Sequence, residues 1–189
     1  MRTPLRFNKH TNLEGLHAPF SASQSSWLRY DDDKAMEVYA NRKASEMGTI
    51  LHKWAKDTID LRIKQPKTKK TISAYVNDAI GFGMSTEVVL FYSDRFFGTA
   101  DAISFKNNVL RIHDLKTGKR PADMEQLKVY AALFCLEYSV KPGNIEIELR
   151  IYQNDEVIFH NPTAEEIVPI MDKIVHFDKL LERFETEEV

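Results

Sequence analysis

Phe96-Phe97-Gly98-Thr99-Ala100-Asp101-Ala102-Ile103-Ser104-Phe105-Lys106-Asn107-Asn108-Val109-Leu110-Arg111-Ile112-His113-Asp114-Leu115-Lys116-Thr117-Gly118-Lys119 is the stretch whose reading decides the fold. Two runs rich in branched and aromatic residues, Phe96 to Phe105 and Val109 to Leu115, flank an Asn-Asn pair suited to a tight hairpin. A third such run, Glu87 to Tyr92, precedes them across the break at Ser93-Asp94, so an antiparallel three-stranded meander is expected. Downstream, Pro121 is read as opening a helix to about Tyr138, closed off by Pro142-Gly143. Ile145 to Tyr152 then alternates apolar and charged residues as a half-buried strand does, and Asn154-Asp155 turns it into a short partner, Val157 to His160. A single helical crossover lets the fourth strand lie parallel to the third. Thr163-Ala164-Glu165-Glu166 matches a capping box, and Ile167, Ile170, Met171, Ile174, Leu181 and Phe184 mark the expected core face of a last helix.

Upstream, the first twenty residues have no clear period and read as an irregular arm. Ser21-Ala22-Ser23 offers caps for a short helix carrying Trp27 and Leu28, and Asp31 to Asp33 could cap the next, beginning near Lys34. Gly48 interrupts a long helical region without necessarily ending it, and beyond it Ile50, Leu51, Trp54, Thr58 and Ile59 recur at helical spacing. Lys64 to Lys70 reads as an exposed basic loop with the means to grip a DNA backbone. Thr71 to Phe82 follows as a helix with Ile72, Tyr75, Val76, Ala79 and Ile80 on one face. The expectation is a single α/β domain over residues 21–189, helical over 21–83, with the mixed sheet and its helices over 84–189.

Composition narrows the function classes. The 43% hydrophobic and 29% charged residues are the balance of a folded globular chain, and no apolar run approaches a membrane span. The amino terminus carries basic residues with no apolar segment after them, which points to the cytoplasm rather than secretion. A net charge of −2 is unlike that of strongly basic nucleic-acid binders, though it leaves room for a local basic channel. The single cysteine, Cys135, excludes an intramolecular disulfide and any four-cysteine zinc or iron–sulfur site, and its apolar surroundings mark it as core.

The chemistry concentrates on Gly98-Thr99-Ala100-Asp101 and Asp114-Leu115-Lys116. Side chains two apart on a strand share a face, so Asp114 and Lys116 project together, and Asp101 lies on the neighbouring strand at a similar distance from the Asn107-Asn108 turn. Carboxylates held side by side repel unless a cation sits between them, and oxygen ligands suit Mg²⁺ or Mn²⁺. Lys116 beside such an ion could orient or deprotonate water, or stabilise a phosphate transition state. An isolated Asp-x-Lys would be an ordinary salt bridge; the upstream Gly-x-x-Asp and the apolar strand set this one apart. Gly118 suits a close backbone approach, with Lys119 and Arg120 placed to grip phosphate. His52 shares a helical strip with Ala55 and Ile59, at the edge of a buried face, and Gln126 and Tyr130, four apart, share another.

Taken together these residues resemble the PD-(D/E)XK nuclease superfamily, and in particular its RecB-like exonuclease branch in phage and prophage form. Gly48-Thr49-Ile50-Leu51-His52-Lys53 is similar to the branch's Gly-x-x-x-His helix, Gln126-Leu127-Lys128-Val129-Tyr130 to its Gln-x-x-x-Tyr helix, and Ser21-Ala22-Ser23 with Trp27-Leu28 to its Ser-rich entry. The resemblance implies a restriction-endonuclease-like core. It implies one or two Mg²⁺ or Mn²⁺ ions on His52, Asp101, Asp114 and the Leu115 carbonyl, and Glu87 is either a further ligand or a polar strand end. The nitrogen ligand tilts preference towards Mn²⁺. Lys116, Gln126 and Tyr130 would complete the catalytic set, with Lys53, Lys119 and Arg120 on DNA. The departure is the missing set of cysteines, so no iron–sulfur cluster is expected. The implied activity is DNA exonuclease action leaving 5′-phosphates in recombination, repair or phage DNA processing, alongside a recombination or replication protein partner. A structure-selective endonuclease and a DNA-binding module with little activity are the alternatives.

Overall fold

The computed structural model describes residues 9–13, 15–118 and 121–187. The chain divides into two compact units, one up to Glu46 and one from Met47 onward, with the division inside the long helix α1 (Asp32–Asp60).

In the first unit, Ser25–Arg29 is a 3-10 turn rather than an α-helix, and its N-cap residue, Gln24, makes no side-chain cap bond. Trp27 instead donates its indole N–H to the Ser21 carbonyl at 2.9 Å and leans on Phe20. Asp31 performs the expected capping, its Oδ1 accepting the Lys34 amide at 2.8 Å where α1 starts. Of the expected irregular arm, residues 1–8 and 14 lie outside the described residues.

In the second unit α1 runs through Gly48 to Asp60 and is followed by α2 (Thr71–Phe82). Next come β1 (Ser85–Ser93), β2 (Phe96–Lys106), β3 (Val109–Leu115), α3 (Glu125–Glu137), β4 (Glu146–Gln153), β5 (Glu156–His160) and α4 (Ala164–Glu187). The five strands form one mixed sheet in sequence order. β1, β2 and β3 are the antiparallel meander, β4 lies parallel to β3, and β5 turns back antiparallel. Asn107-Asn108 and Asn154-Asp155 both take positive φ, the turn geometry that matches strand twist.

Two apolar layers cover the sheet. One packs Leu110, Ile112, Leu149 and Ile151 against α3 and Ile167 and Ile174 of α4, with Cys135 inside it. The other packs Ala102, Leu115 and Tyr152 against Ala55 and Ile59 of α1 and Tyr75, Val76 and Ala79 of α2. β3 is therefore covered on both sides, so that even its polar residues His113 and Asp114 are buried.

Several expectations are corrected. Pro121 does not open α3: residues 121–124 are non-helical, Gln153 Oε1 accepts the Ala122 amide at 3.1 Å, and Asp123 Oδ1 accepts the Glu125 amide at 3.0 Å. On α1 the helical spacing is kept but the face turns, burying Gly48, Ala55, Thr58 and Ile59 and leaving Ile50 and Trp54 exposed. On α4 the buried stripe ends at Ile174, and Leu181 and Phe184 are exposed. No helix among the described residues is long and apolar enough to cross a membrane.

Candidate metal centre

β1 and β2 change face together at one cross-strand position. Thr86 reaches α1, its Oγ1 donating to Asp60 Oδ1 at 2.6 Å, whereas Val88 packs in the α3–α4 layer. Their partners across the ladder behave alike, Ala102 lying in the α1–α2 layer and Ala100 in the other, with no register shift between them. Regular alternation would put both members of each pair on one side. The switch falls at Glu87, which takes φ +50°, a left-handed conformation that costs a non-glycine residue about 1–3 kcal/mol. The kink brings Glu87 and Asp101 to one spot.

His52 of α1 completes that spot. Its Nδ1 lies 3.4 Å from Asp101 Oδ2. Ligand atoms of His52, Glu87 and Asp101 all fall within 4.8 Å of one another, so the three form a group that could hold a metal ion. Asp101 Oδ2 also accepts the Leu115 amide at 3.0 Å, in place of a backbone partner on β2. On an extended strand a residue's carbonyl leaves on the same side as its amide, which directs the Leu115 carbonyl towards Asp101. Burial raises the Asp101 carboxyl to about 6; the neighbouring Asp114 and Glu87 add to the rise, and the Leu115 amide and His52 oppose it.

Asp114 is buried and stands outside that group of three. Lys116 Nζ donates to Asp114 Oδ1 at 3.1 Å and to Gln126 Oε1 at 2.8 Å, and Gln126 Nε2 donates to the Tyr130 hydroxyl at 2.9 Å. Asp114 Oδ2 lies 3.0 Å from the same ammonium without hydrogen-bond geometry, and it is a buried oxygen with no hydrogen bond. The imidazole of His52 and the carboxylates of Glu87 and Asp101 make a donor set that fits a hard divalent cation.

No protein-family model, curated protein or solved structure matches this chain. The site therefore rests on its own geometry.

Two glycines explain the shape of the site. A Cβ on Gly98 would stand 2.8 Å from the Tyr130 ring, so that glycine admits the tyrosine closing the Lys116–Gln126–Tyr130 chain. A Cβ on Gly48 would stand 2.7 Å from Thr117 Oγ1, so its absence lets the segment after Lys116 settle against α1 one turn before His52. Gln153 holds that segment as well, Nε2 donating to the Gly118 carbonyl at 2.6 Å. These couplings, and Gln153 itself, carried no local signal. Tyr75 was read only as core, yet its phenol is pushed well above the usual range by burial and by Asp101, Asp114 and Glu87.

Lys53 is exposed and pairs with Asp57 at 3.4 Å. Lys119 and Arg120 lie outside the described residues. His113, beside Asp114 in sequence, faces the other way: its ring sits edge-on to Phe82 and 3.3 Å from the Tyr152 hydroxyl. Burial, then Arg150 and Arg111, lower its pKa to about 3, so it is a neutral core imidazole near neutral pH.

Proposed function

We propose that this chain is a divalent-metal-dependent DNA nuclease of the PD-(D/E)XK type, acting as an exonuclease of the RecB-like kind. One observation carries the reading. In Asp114-Leu115-Lys116 the middle amide grips Asp101 of the His/Glu/Asp group, while the outer side chains form the carboxylate–ammonium pair held by Gln126. A salt bridge needed only for stability would not sit against three further potential ligands.

His52, Glu87, Asp101 and Asp114 Oδ2 would hold one or two Mg²⁺ or Mn²⁺ ions, with the Leu115 carbonyl as a further donor. A bound ion supplies a Lewis acid for the scissile phosphate. The chain's own residues set the rest. An ammonium has three protons; those of Lys116 directed to Asp114 and Gln126 fix its position, leaving one for a phosphate oxygen or the attacking water. The ammonium of Lys116, which can only donate, turns the Gln126 amide so that its oxygen meets Lys116, and the Tyr130 hydroxyl accepts the amide N–H left over. The preference for exonuclease over endonuclease action comes from the resemblance of the Gly-x-x-x-His and Gln-x-x-x-Tyr elements, and so does a role in recombination, repair or phage DNA processing.

The test is degradation of end-labelled linear, nicked and branched DNA with Mn²⁺, Mg²⁺ or EDTA. Wild type should release label from linear ends with metal only, and Lys116→Ala should lose about 100-fold or more in kcat, the scale of a lost charge-stabilising donor. Folded wild-type protein that binds DNA but cuts none of these substrates with either metal would overturn the reading.

A further inference from the structure

A row of lysines is fastened along α2. After α1 the chain runs back beside α2, antiparallel to it, held at three rungs. Arg62 Nη1 donates to the Ile80 carbonyl at 3.4 Å. Gln65 and Asn77 bond reciprocally at 2.8 and 2.9 Å. Thr68 Oγ1 donates to Ser73 Oγ at 3.1 Å. Pro66 fixes φ in the middle of the segment. What reads locally as a loose loop is thus a pinned strap.

From Leu61 to Asn77 the sequence holds Arg62, Lys64, Lys67, Lys69 and Lys70, and no Asp or Glu. All four lysines are exposed, and among the described residues none of them makes an ion pair. Four other lysines of the same unit are paired, Lys53 with Asp57, Lys56 with Asp60, Lys116 with Asp114 and Lys128 with Glu125 and Glu166, and the remaining described ones, Lys106, Lys141, Lys173 and Lys179, are spread along the sequence rather than grouped. In a chain of net charge −2, an unneutralised strip of this kind is a local positive potential. The rungs run from Ile80 to Ser73 of α2, seven helical residues at about 1.5 Å rise each, so the strip extends about 10 Å along the helix.

The strap ends at the start of the helix that flanks the metal centre, where Tyr75 stands close enough to feel the charges of Asp101, Asp114 and Glu87. Lys70 precedes α2, and Tyr75, in the second turn, packs its ring 5.4 Å from that of Tyr152. The Tyr152 carbonyl in turn accepts the Lys116 amide at 2.9 Å.

We propose that Lys64, Lys67, Lys69 and Lys70 form a backbone track that binds the phosphates of a DNA strand leading into the metal centre. The inference rests on the nuclease reading above and adds the surface that delivers the substrate. The strap presents lysines and no aromatic side chain, so it grips phosphate without reading bases, and binding through it is independent of sequence.

The experiment compares wild type with Lys64→Gln/Lys67→Gln/Lys69→Gln/Lys70→Gln, which keeps Gln65, Pro66 and Thr68, and with single Lys67→Glu should the quadruple variant fail to fold. Anisotropy of a fluorescein-labelled duplex in EDTA is followed across a NaCl series, with a poly-glutamate peptide as a second ligand. Four lost phosphate contacts should make the slope of log K against log [NaCl] shallower by about 3 to 4. The single reversal should flatten it by about 1 or more. KM for degradation should rise about tenfold or more, with kcat at saturating DNA within about twofold. An unchanged slope overturns the track, and so does loss of poly-glutamate binding with DNA binding intact, which would assign the strip to an acidic protein. Binding is read without cleavage. A wild type that cuts nothing, with the slope difference intact, removes the nuclease reading alone; a wild type that cuts, with equal slopes, removes the track alone.

Discussion

Burial and the Asp114 and Glu87 charges push the Asp101 carboxyl up, while the Leu115 amide it accepts and then His52 draw it towards ionisation. Its rise from an ordinary 3.8 to about 6 has a definite sign for stability. A carboxyl whose folded pKa is raised favours folding when protonated. That contribution is complete below about 3.8 and is lost as pH climbs through about 6, so at pH 8 the ionised group is a penalty. By the linkage relation the penalty is about 3 kcal/mol at most. Asp101→Asn keeps an oxygen for the Leu115 amide and removes the charge. In EDTA at pH 8 the variant should therefore be more stable than wild type by about 1–3 kcal/mol in urea unfolding, the gap closing as pH falls below about 5. With Mn²⁺ the order should reverse, because wild type gains a ligand-dependent rise in Tm that the variant lacks. Equal Tm shifts with Mn²⁺ in both proteins would remove Asp101 from the metal site.

At the scale of elements, α3 is the lever that positions Lys116, and its position depends on the start of α4. Glu166, in the first turn of α4, accepts the Thr163 amide at 3.0 Å, His160 Nε2 at 2.8 Å and Lys128 Nζ at 3.0 Å, tying β5, α3 and α4 together. The Thr163 amide first, then His160 and Lys128, hold its carboxyl down at about 2. A depressed carboxyl contributes stability that is present above its unfolded value, near 4.5, and is lost as pH falls towards 2. Glu166→Gln should lower Tm at pH 6, and the difference should shrink between pH 4.5 and 2; a pH-independent difference would mean the residue acts through packing alone. Elements whose signals are local were legible in sequence: the Asn107-Asn108 and Asn154-Asp155 turns, the Thr163 capping box, the span of α2 and the parallel β3–β4 pair. What escaped depends on distant partners. Pro121 carries a helix-start signal, but Gln153 pulls Ala122 into a loop. Helical spacing in α1 could not say which of its faces would be covered. The pairs Gly48–Thr117 and Gly98–Tyr130 join residues far apart in sequence, and nothing in Thr86-Glu87-Val88 announces the kink that brings Glu87 to Asp101. The Asp114–Lys116–Gln126 contacts could be expected from short motifs, since Asp114 and Lys116 share a strand face and Gln126 lies on the helix that follows.

For the molecule as a whole, every side chain of the two apolar layers comes from Ala55 or later. His52, Glu87, Asp101, Asp114 and Lys116 all belong to the unit that begins at Met47. The earlier unit supplies the Asp31 cap, the helical pairs Lys34–Glu37 and Arg42–Glu46 and the Trp27–Ser21 bond, all local and exposed or half-buried. Surface pairs of this type contribute little individually, and a lost cap costs about 1 kcal/mol. A chain trimmed to begin at Met47 should therefore unfold in urea in one cooperative transition, with Tm lowered by about 2–8 °C. Its Mn²⁺-dependent rise in Tm should match that of the full chain, since no candidate ligand has been removed. A broad, non-cooperative transition would show that residues before Met47 are needed to complete the folding unit. A cooperative transition without the Mn²⁺ response would show that they are needed to set α1, and with it His52, in place.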